Sequence, residues 1–239
     1  MLSVRKSVFL EFLGSILAVV KEAPVDLTPN SLVVHGMNLE RTVGVRSKLP
    51  KDICINFTVE EEEEIALDVG NIYSTLNSLW WNPVLSIKKE ENKLLIDAER
   101  IKFKYSLLAP YLVQKLPNIK EDEYPASVQI DVDTFRKFMK SLPSKVPELR
   151  MSVEDGKFIL QAEDTDNNIE AQAEITEGEI NGERVQTKIN RSYIDGILRY
   201  VKKGPMTIYL HAENPLKIEC RIVEEMVPVT YYIAPIYEV

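Results

Sequence analysis

The chain has 239 residues, 45% of them apolar, and carries 29 Lys and Arg against 37 Asp and Glu, a net charge of -8. That length fits one large domain or two of roughly 120 residues, and the acidic balance excludes a protein that coats nucleic acid through overall charge, though not one with a local basic face. Two cysteines far apart in sequence, Cys54 and Cys220, exclude a disulfide-stapled scaffold.

Arg5 and Lys6 precede an apolar run over residues 8–20 with the make-up of a secretory signal, but Glu11 interrupts it and no convincing cleavage site follows. Phe9, Phe12, Leu13, Ile16, Leu17 and Val20 recur at helical spacing, so residues 7–20 are predicted as an amphipathic helix with Ser7 as N-cap. No other apolar run approaches membrane-spanning length. Leu27 then leads through Pro29-Asn30 to Leu32, Val33 and Val34, a hairpin pattern. The acidic run at 60–64 reads as a solvated loop before a strand, and residues 68–81 as a second helix. Ile101, Phe103 and Tyr105 alternate along a strand. Residues 107–125, with three prolines and a cluster of acids, read as a long surface connector.

The pattern then returns. Residues 133–142 form a predicted helix capped by Asp133, with Phe135, Phe138, Met139 and Leu142 as its apolar stripe. Met151 and Val153 lead through Asp155-Gly156, a strong hairpin turn, to Phe158, Ile159 and Leu160. Ile169, Ala171, Ala173 and Ile175 alternate, and residues 191–203 form a last helix ended by Gly204-Pro205. First-helix starts at 7 and 133 lie 126 residues apart and second-helix starts at 68 and 191 lie 123 apart, which points to an internal duplication. The expected fold class is α+β: two tandem similar domains, 1–107 and 126–239, joined by a connector at 108–125, each an antiparallel sheet carrying two helices.

Catalytic chemistry is sparse. His35 and His211, the only histidines, fall at strand ends and read as surface residues; with two scattered cysteines they give no zinc spacing. There is no GxxxxGK[ST], GxGxxG or GxSxG. Asp164, Asp166 and Asn168 begin like a calcium loop, but Ile169 and Ile175 stand where its glycine and glutamate belong. No metal, cofactor or enzymatic activity is expected. A metal-dependent hydrolase built on the acidic clusters is the alternative from another class.

Three segments, in order, resemble the proliferating cell nuclear antigen family, particularly its archaeal members. They are Met37-Asn38-Leu39-Glu40-Arg41-Thr42-Val43 followed by Leu49-Pro50; Ser192-Tyr193-Ile194-Asp195 leading to Ala212-Glu213-Asn214-Pro215-Leu216; and the closing Tyr231-Tyr232-Ile233-Ala234-Pro235. Asn38 stands where the family has aspartate, and Thr42 where it has an apolar residue. The resemblance implies a DNA clamp fold of two similar domains per subunit and a pseudo-sixfold ring lined by helices. It also implies a processivity factor that slides on duplex DNA without reading sequence, in the nucleoid or nucleus and not secreted. Implied partners are polymerase, clamp loader, flap nuclease and ligase, held through short peptides. A homotrimer, a heterotrimer or a specialised checkpoint-like ring all remain open.

Site residues follow from that resemblance. A partner-peptide pocket would comprise Met37, Thr42, Pro215, Tyr232, Ala234 and Pro235, with Leu116 or Ile119 from the connector. Thioether, proline and small side chains suit an adaptable apolar floor. The DNA-facing set would be Arg136, Lys137, Lys140, Arg191, Arg199, Lys202 and Lys203, because the predicted helices at 7–20 and 68–81 contain no basic residue. Subunits would join through Ile101, Phe103 and Tyr105 of one chain and Ile169, Ala171 and Ala173 of the next.

Overall fold

A computed structural model describes residues 1–119, 123–164 and 169–237. The chain divides into two compact units, Met1–Pro117 with Ile222–Val229, and Asn118–Arg221 with Thr230–Val239. No helix among the described residues is long and apolar enough to cross a membrane.

The first unit runs β1 (Leu2–Arg5), α1 (Lys6–Leu17), β2 (Glu22–Thr28), β3 (Ser31–Met37), β4 (Val43–Pro50), β5 (Asn56–Phe57), β6 (Glu63–Asp68), α2 (Val69–Asn77), β7 (Val84–Glu90), β8 (Lys93–Asp97) and β9 (Lys102–Ser106). The second half of the chain runs β10 (Ala126–Asp131), α3 (Val132–Ser141), β11 (Glu148–Glu154), β12 (Lys157–Asp164), β13 (Ile169–Ile175), β14 (Glu179–Gly182), β15 (Val185–Asn190), α4 (Arg191–Tyr200), β16 (Pro205–Leu210), β17 (Leu216–Ile222) and β18 (Val227–Ile233), whose first three residues are counted with the first unit. Each half thus reads strand, helix, five strands, helix, three strands. The ladders repeat as well. β1 pairs with β5 and β7 as β10 does with β14 and β16. β2 pairs with β3 and β6 as β11 does with β12 and β15. β4 lies beside β3 as β13 lies beside β12. Every one of these pairs is antiparallel.

The periodicities explain the layers. Phe9, Phe12, Leu13 and Ile16 of α1 and Val69, Ile72 and Leu76 of α2 are buried, as are Phe135 and Met139 of α3 and Ile194, Ile197 and Leu198 of α4. A spacing of three or four residues places each set on one helix face, turned to the inward positions of the alternating strands. Burying a ring such as Phe12, 2% exposed, contributes on the order of 3 kcal/mol. Asp155 and Gly156 both adopt positive φ, 51° and 71°, the type I′ geometry that matches strand twist, and set Glu154 opposite Lys157.

Helix ends differ from expectation. α3 is capped by Asp131, whose carboxylate accepts from the amides of Asp133 and Thr134, so Asp133 lies inside the first turn. Ser7 is not a cap: α1 starts at Lys6, its N-cap Arg5 makes no side-chain cap bond, and Asn82 instead accepts from the Ser7 amide at 2.9 Å. A cap supplied from 75 residues away leaves no local sequence signal. α2 stops at Asn77 and α4 at Tyr200, both short of prediction, with Ser78 and Val201 as their C-caps.

Candidate nucleic-acid interface and partner-binding segments

The basic residues of the second unit separate into two kinds. Lys137 and Lys140 on α3 and Arg199 on α4 are exposed, as are Lys202 and Lys203 in the turn that follows. Arg136 and Arg191 are not available in that way, which corrects their place in the expected DNA-facing set. Arg136 donates to the carbonyls of Leu198 (3.2 Å), Val201 (2.6 Å) and Lys202 (2.9 Å) at the end of α4 and pairs with Asp133. Arg191 is 4% exposed; it donates to Met139 O at 2.9 Å and to Pro143 O and stands 3.3 Å from Asp195. The last carbonyls of a helix lack amide partners and carry the negative end of its dipole, so a guanidinium there satisfies both needs.

The first unit repeats the device with a lysine. Lys6, 9% exposed, points its Nζ at Leu79 O just past α2, 2.6 Å away. The exposed positions of its helices are Ser7 and Glu11 on α1 and Asn71, Ser74 and Asn77 on α2. Hydroxyls, amides and one carboxylate, Glu11, thus occupy exposed helix positions in the first unit, where the second unit presents cations.

The first half of the connector is more ordered than its prolines suggest. After a 3-10 turn at Pro110–Leu112, Gln114 O accepts from Met37 N at 3.2 Å, and Leu116 N donates to His35 O at 2.9 Å, so this stretch pairs with the end of β3 around an antiparallel bridge between Gly36 and Lys115. Lys115 joins Glu64 at 3.0 Å and Asp26 at 3.5 Å. Leu116, 4% exposed, settles over Gly44, where a Cβ would stand 2.2 Å from its Cδ1; only glycine lets the leucine approach that closely. The acidic run therefore ends on an anchor. His35 is no free surface histidine either: Arg46 Nε donates to its Nδ1 at 3.2 Å, and Asp26 lies 3.4 Å from Nε2. Burial, and then Arg46, hold its pKa below the ordinary value against the opposing pull of Asp26.

Of the expected pocket residues, Met37, Thr42 and Leu116 belong to the first unit. Asn38 accepts at Oδ1 from the amides of Thr42 and Val43, 2.9 and 3.0 Å away, and donates from Nδ2 to Thr42 Oγ1 at 2.9 Å. The two departures from the family pattern thus bond to each other. An open groove of about 380 Å³ runs here between Val19–Glu22, Met37–Glu40 and Leu112–Gln114, with Leu39 and Leu112 exposed at 81% and 68%. Ile119, Pro215, Tyr232, Ala234 and Pro235 belong to the second unit. Tyr232 is buried and the other four are half-exposed. Tyr124, at the end of the connector, donates to Pro215 O at 3.1 Å, and the Lys217 ammonium lies 4.3 Å from the Tyr209 ring centroid. Ala212, Pro235 and Tyr237 line a second opening, about 230 Å³, with Arg150 and Lys188. His211 Nδ1 accepts from the amides of Glu213 and Asn214, which makes it a turn former.

The expected joining strands are both sheet ends: β9 closes the order β5-β1-β7-β8-β9 and β13 opens the order β13-β12-β11-β15. Phe103, Tyr105, Ile169, Ala171 and Ala173 are half-exposed. Ile101, 40% exposed, sits in the turn before β9, where its carbonyl accepts from Ala98 N. Among the described residues no three His, Cys, Asp or Glu side chains converge as a metal would require; residues 165–168, which hold part of the calcium-like segment, lie outside them.

No family model matches the chain. A DNA polymerase sliding clamp of Archaeoglobus fulgidus is 23% identical over 224 residues, 92% of this chain and 91% of that one. One from Thermoplasma acidophilum is 23% identical over 84% of this chain and 82% of its own length. Among solved structures, that of the C-terminal region of FEN-1 bound to A. fulgidus PCNA superposes with a TM-score of 0.89 at 21% identity, over the full length of both chains. The PCNA2-PCNA3 complex of Sulfolobus tokodaii superposes with a TM-score of 0.83 at 17% identity, over 98% of each chain.

Proposed function

We propose that this chain, a divergent member of the DNA polymerase sliding-clamp family, is one subunit of a ring that encircles duplex DNA and tethers replication and repair proteins to it. The observation that carries this reading is the whole-chain likeness to archaeal clamps in fold and in sequence order. It acts by topology and contact, not by catalysis. We assign residues 1–107 and 126–239 to its two domains and 108–125 to the connector.

A clamp must hold DNA without stopping on any sequence, so it needs phosphate contacts and no readout of base edges. Lys137, Lys140 and Arg199, with Lys202 and Lys203, are suited to that: exposed, long-stemmed, and carried on or just past helices. The exposed positions of α1 and α2 add no cation. Partner peptides are assigned to a largely apolar set in and around the connector: Met37, Thr42, Leu116, Ile119, Pro215, Tyr232, Ala234 and Pro235. The relative seen with the C-terminal region of FEN-1 supports a short peptide as the form of that partner.

The test is retention. With a clamp loader and ATP, the protein should stay on closed circular DNA through gel filtration and leave when the circle is cut once. It should also lengthen polymerase products. Equal retention on circular and cut DNA would overturn the reading. A second assay replaces Ala234 or Pro235 by a bulky polar residue; affinity for a peptide with aliphatic and aromatic anchors should fall by about 1–3 kcal/mol.

A further inference from the structure

The turn that follows α2 carries Trp80, an indole 84% exposed. Water disfavours a bare ring of that size. Trp81 braces it from the side, centroids 5.5 Å apart and planes at 69°, and leaves most of the ring open. This turn lies along the junction of β1 and α1. Lys6 N donates to Pro83 O at 3.0 Å, Ser7 N donates to Asn82 Oδ1 at 2.9 Å, and Arg5 stands opposite Val84 in the strand pair. The Lys6 ammonium is taken up by Leu79 O, whereas Arg5 is exposed.

The chemistry around the ring selects its partner. A protein recognises an aromatic anchor best where apolar neighbours exclude water around it. Here the exposed neighbours along the chain are Asn77, Ser78 and Asn82, with Ser7 across the turn and Val84, 40% exposed, as the apolar exception. A nucleobase has the opposite requirement: an apolar face to stack on, polar groups around its edges, and a cation for the phosphate beside it.

We infer, on the clamp reading above, that Trp80 is a stacking platform for an unpaired base, with Arg5 meeting the adjoining phosphate. Inside duplex DNA both faces of a base are covered by its neighbours, so the indole finds nothing to stack on. A single strand, or the junction where duplex passes into single strand, offers an open face. The exposed cations of the second unit grip phosphates of either form. The two units therefore sense different things: charge in the second holds DNA anywhere along its length, and the indole in the first marks where the duplex ends. A clamp built this way moves freely over duplex and is held where unpaired template begins.

Anisotropy of a dye-labelled oligo(dT), compared with a labelled blunt duplex of equal length, tests this. Trp80→Ala should weaken binding to oligo(dT) about fivefold or more, the loss of one stacked base, and change binding to the duplex by less than about twofold. Trp80→Phe, which keeps a ring, should stay within about threefold of the parent on both. Arg5→Ala should shrink the log–log salt slope for oligo(dT) by about 0.7, one phosphate contact on a single strand. Trp80 is exposed, and a urea midpoint equal to the parent's checks that each variant folds alike. Trp80→Ala binding oligo(dT) as the parent does, or losing both DNAs equally, would overturn the platform, and an unchanged slope in Arg5→Ala would overturn the phosphate contact. A Trp80→Ala protein that keeps oligo(dT) and loses the anchor peptide would assign the ring to a protein partner instead. If the parent stays on closed circular duplex while Trp80 proves silent, the platform fails and the clamp reading stands. A parent that neither stays on the circle nor binds oligo(dT) would count against both.

Discussion

At the first residue of α4, Arg191 is buried while its guanidinium holds the carbonyls of Met139 and Pro143. Replacing it with Met leaves both carbonyls buried without a partner, and should cost about 3 kcal/mol in urea unfolding. Lys140→Ala, on an exposed position, should stay within about 0.5 kcal/mol of the parent. Equal midpoints for the two variants would show that Arg191 is not structural. His35 gives a pH test. Its folded pKa is depressed, so neutral imidazole is favoured in the folded state. The stability this contributes is complete above the unfolded value of about 6.5 and is lost as pH falls through the lower folded value. Urea midpoints should therefore drop between pH 7.5 and 5, and by less in His35→Gln; an identical pH slope in the variant would exclude the residue. Neither role was legible in sequence. A basic residue at a helix start looks the same whether it faces solvent or reaches back to a carbonyl 48 or 52 residues earlier.

Among the elements, the connector departs furthest from expectation. Composition alone pointed to a surface segment, yet Gln114 and Leu116 complete hydrogen bonds with Met37 and His35, and Lys115 is anchored at Glu64 and Asp26. Those acids lie 51 and 89 residues away, so no local pattern could announce them. Lys115→Ala should speed hydrogen exchange at the Met37 and Leu116 amides about tenfold, since local opening reports local contacts. It should leave the global urea midpoint nearly unchanged. Unaltered exchange at both amides would mean that the backbone pairing alone holds the segment. The regular elements were far more legible: the hairpin turns at Pro29-Asn30 and Asp155-Gly156 fall where the residue types demanded. Their signals are local and steric, whereas helix ends depended on Asn82 and on Asp131, two residues before the expected helix.

Over the whole molecule, the duplication carried most of the information. Two weak patterns about 126 residues apart reinforced each other, and the ladders repeat strand for strand. The charge on the two halves does not repeat. Replacing Lys137, Lys140 and Arg199 together by Ala should lower retention on closed circular DNA and flatten its salt dependence. For every phosphate that a removed cation had neutralised, the log–log slope should shrink by about 0.9. Peptide affinity should be unchanged. A triple variant with the parent's salt slope would place the DNA contacts elsewhere. Arg136 is left out of that set because its loss would expose the end of α4, and weakened binding could then reflect a damaged helix.

Both tryptophans, Trp80 and Trp81, stand side by side after α2 with ring centroids 5.5 Å apart, and neither has a counterpart in the second unit. Intrinsic emission excited at the red edge is therefore a spectroscopic label for one half only, supplied by the chain itself. Circular dichroism reads the backbone of both halves. If the halves melt as one cooperative block, the two signals trace the same denaturation curve; if they melt in turn, the emission curve separates from the ellipticity curve. A single titration, with no dye and no engineered residue, would then assign the earlier transition to its half of the chain.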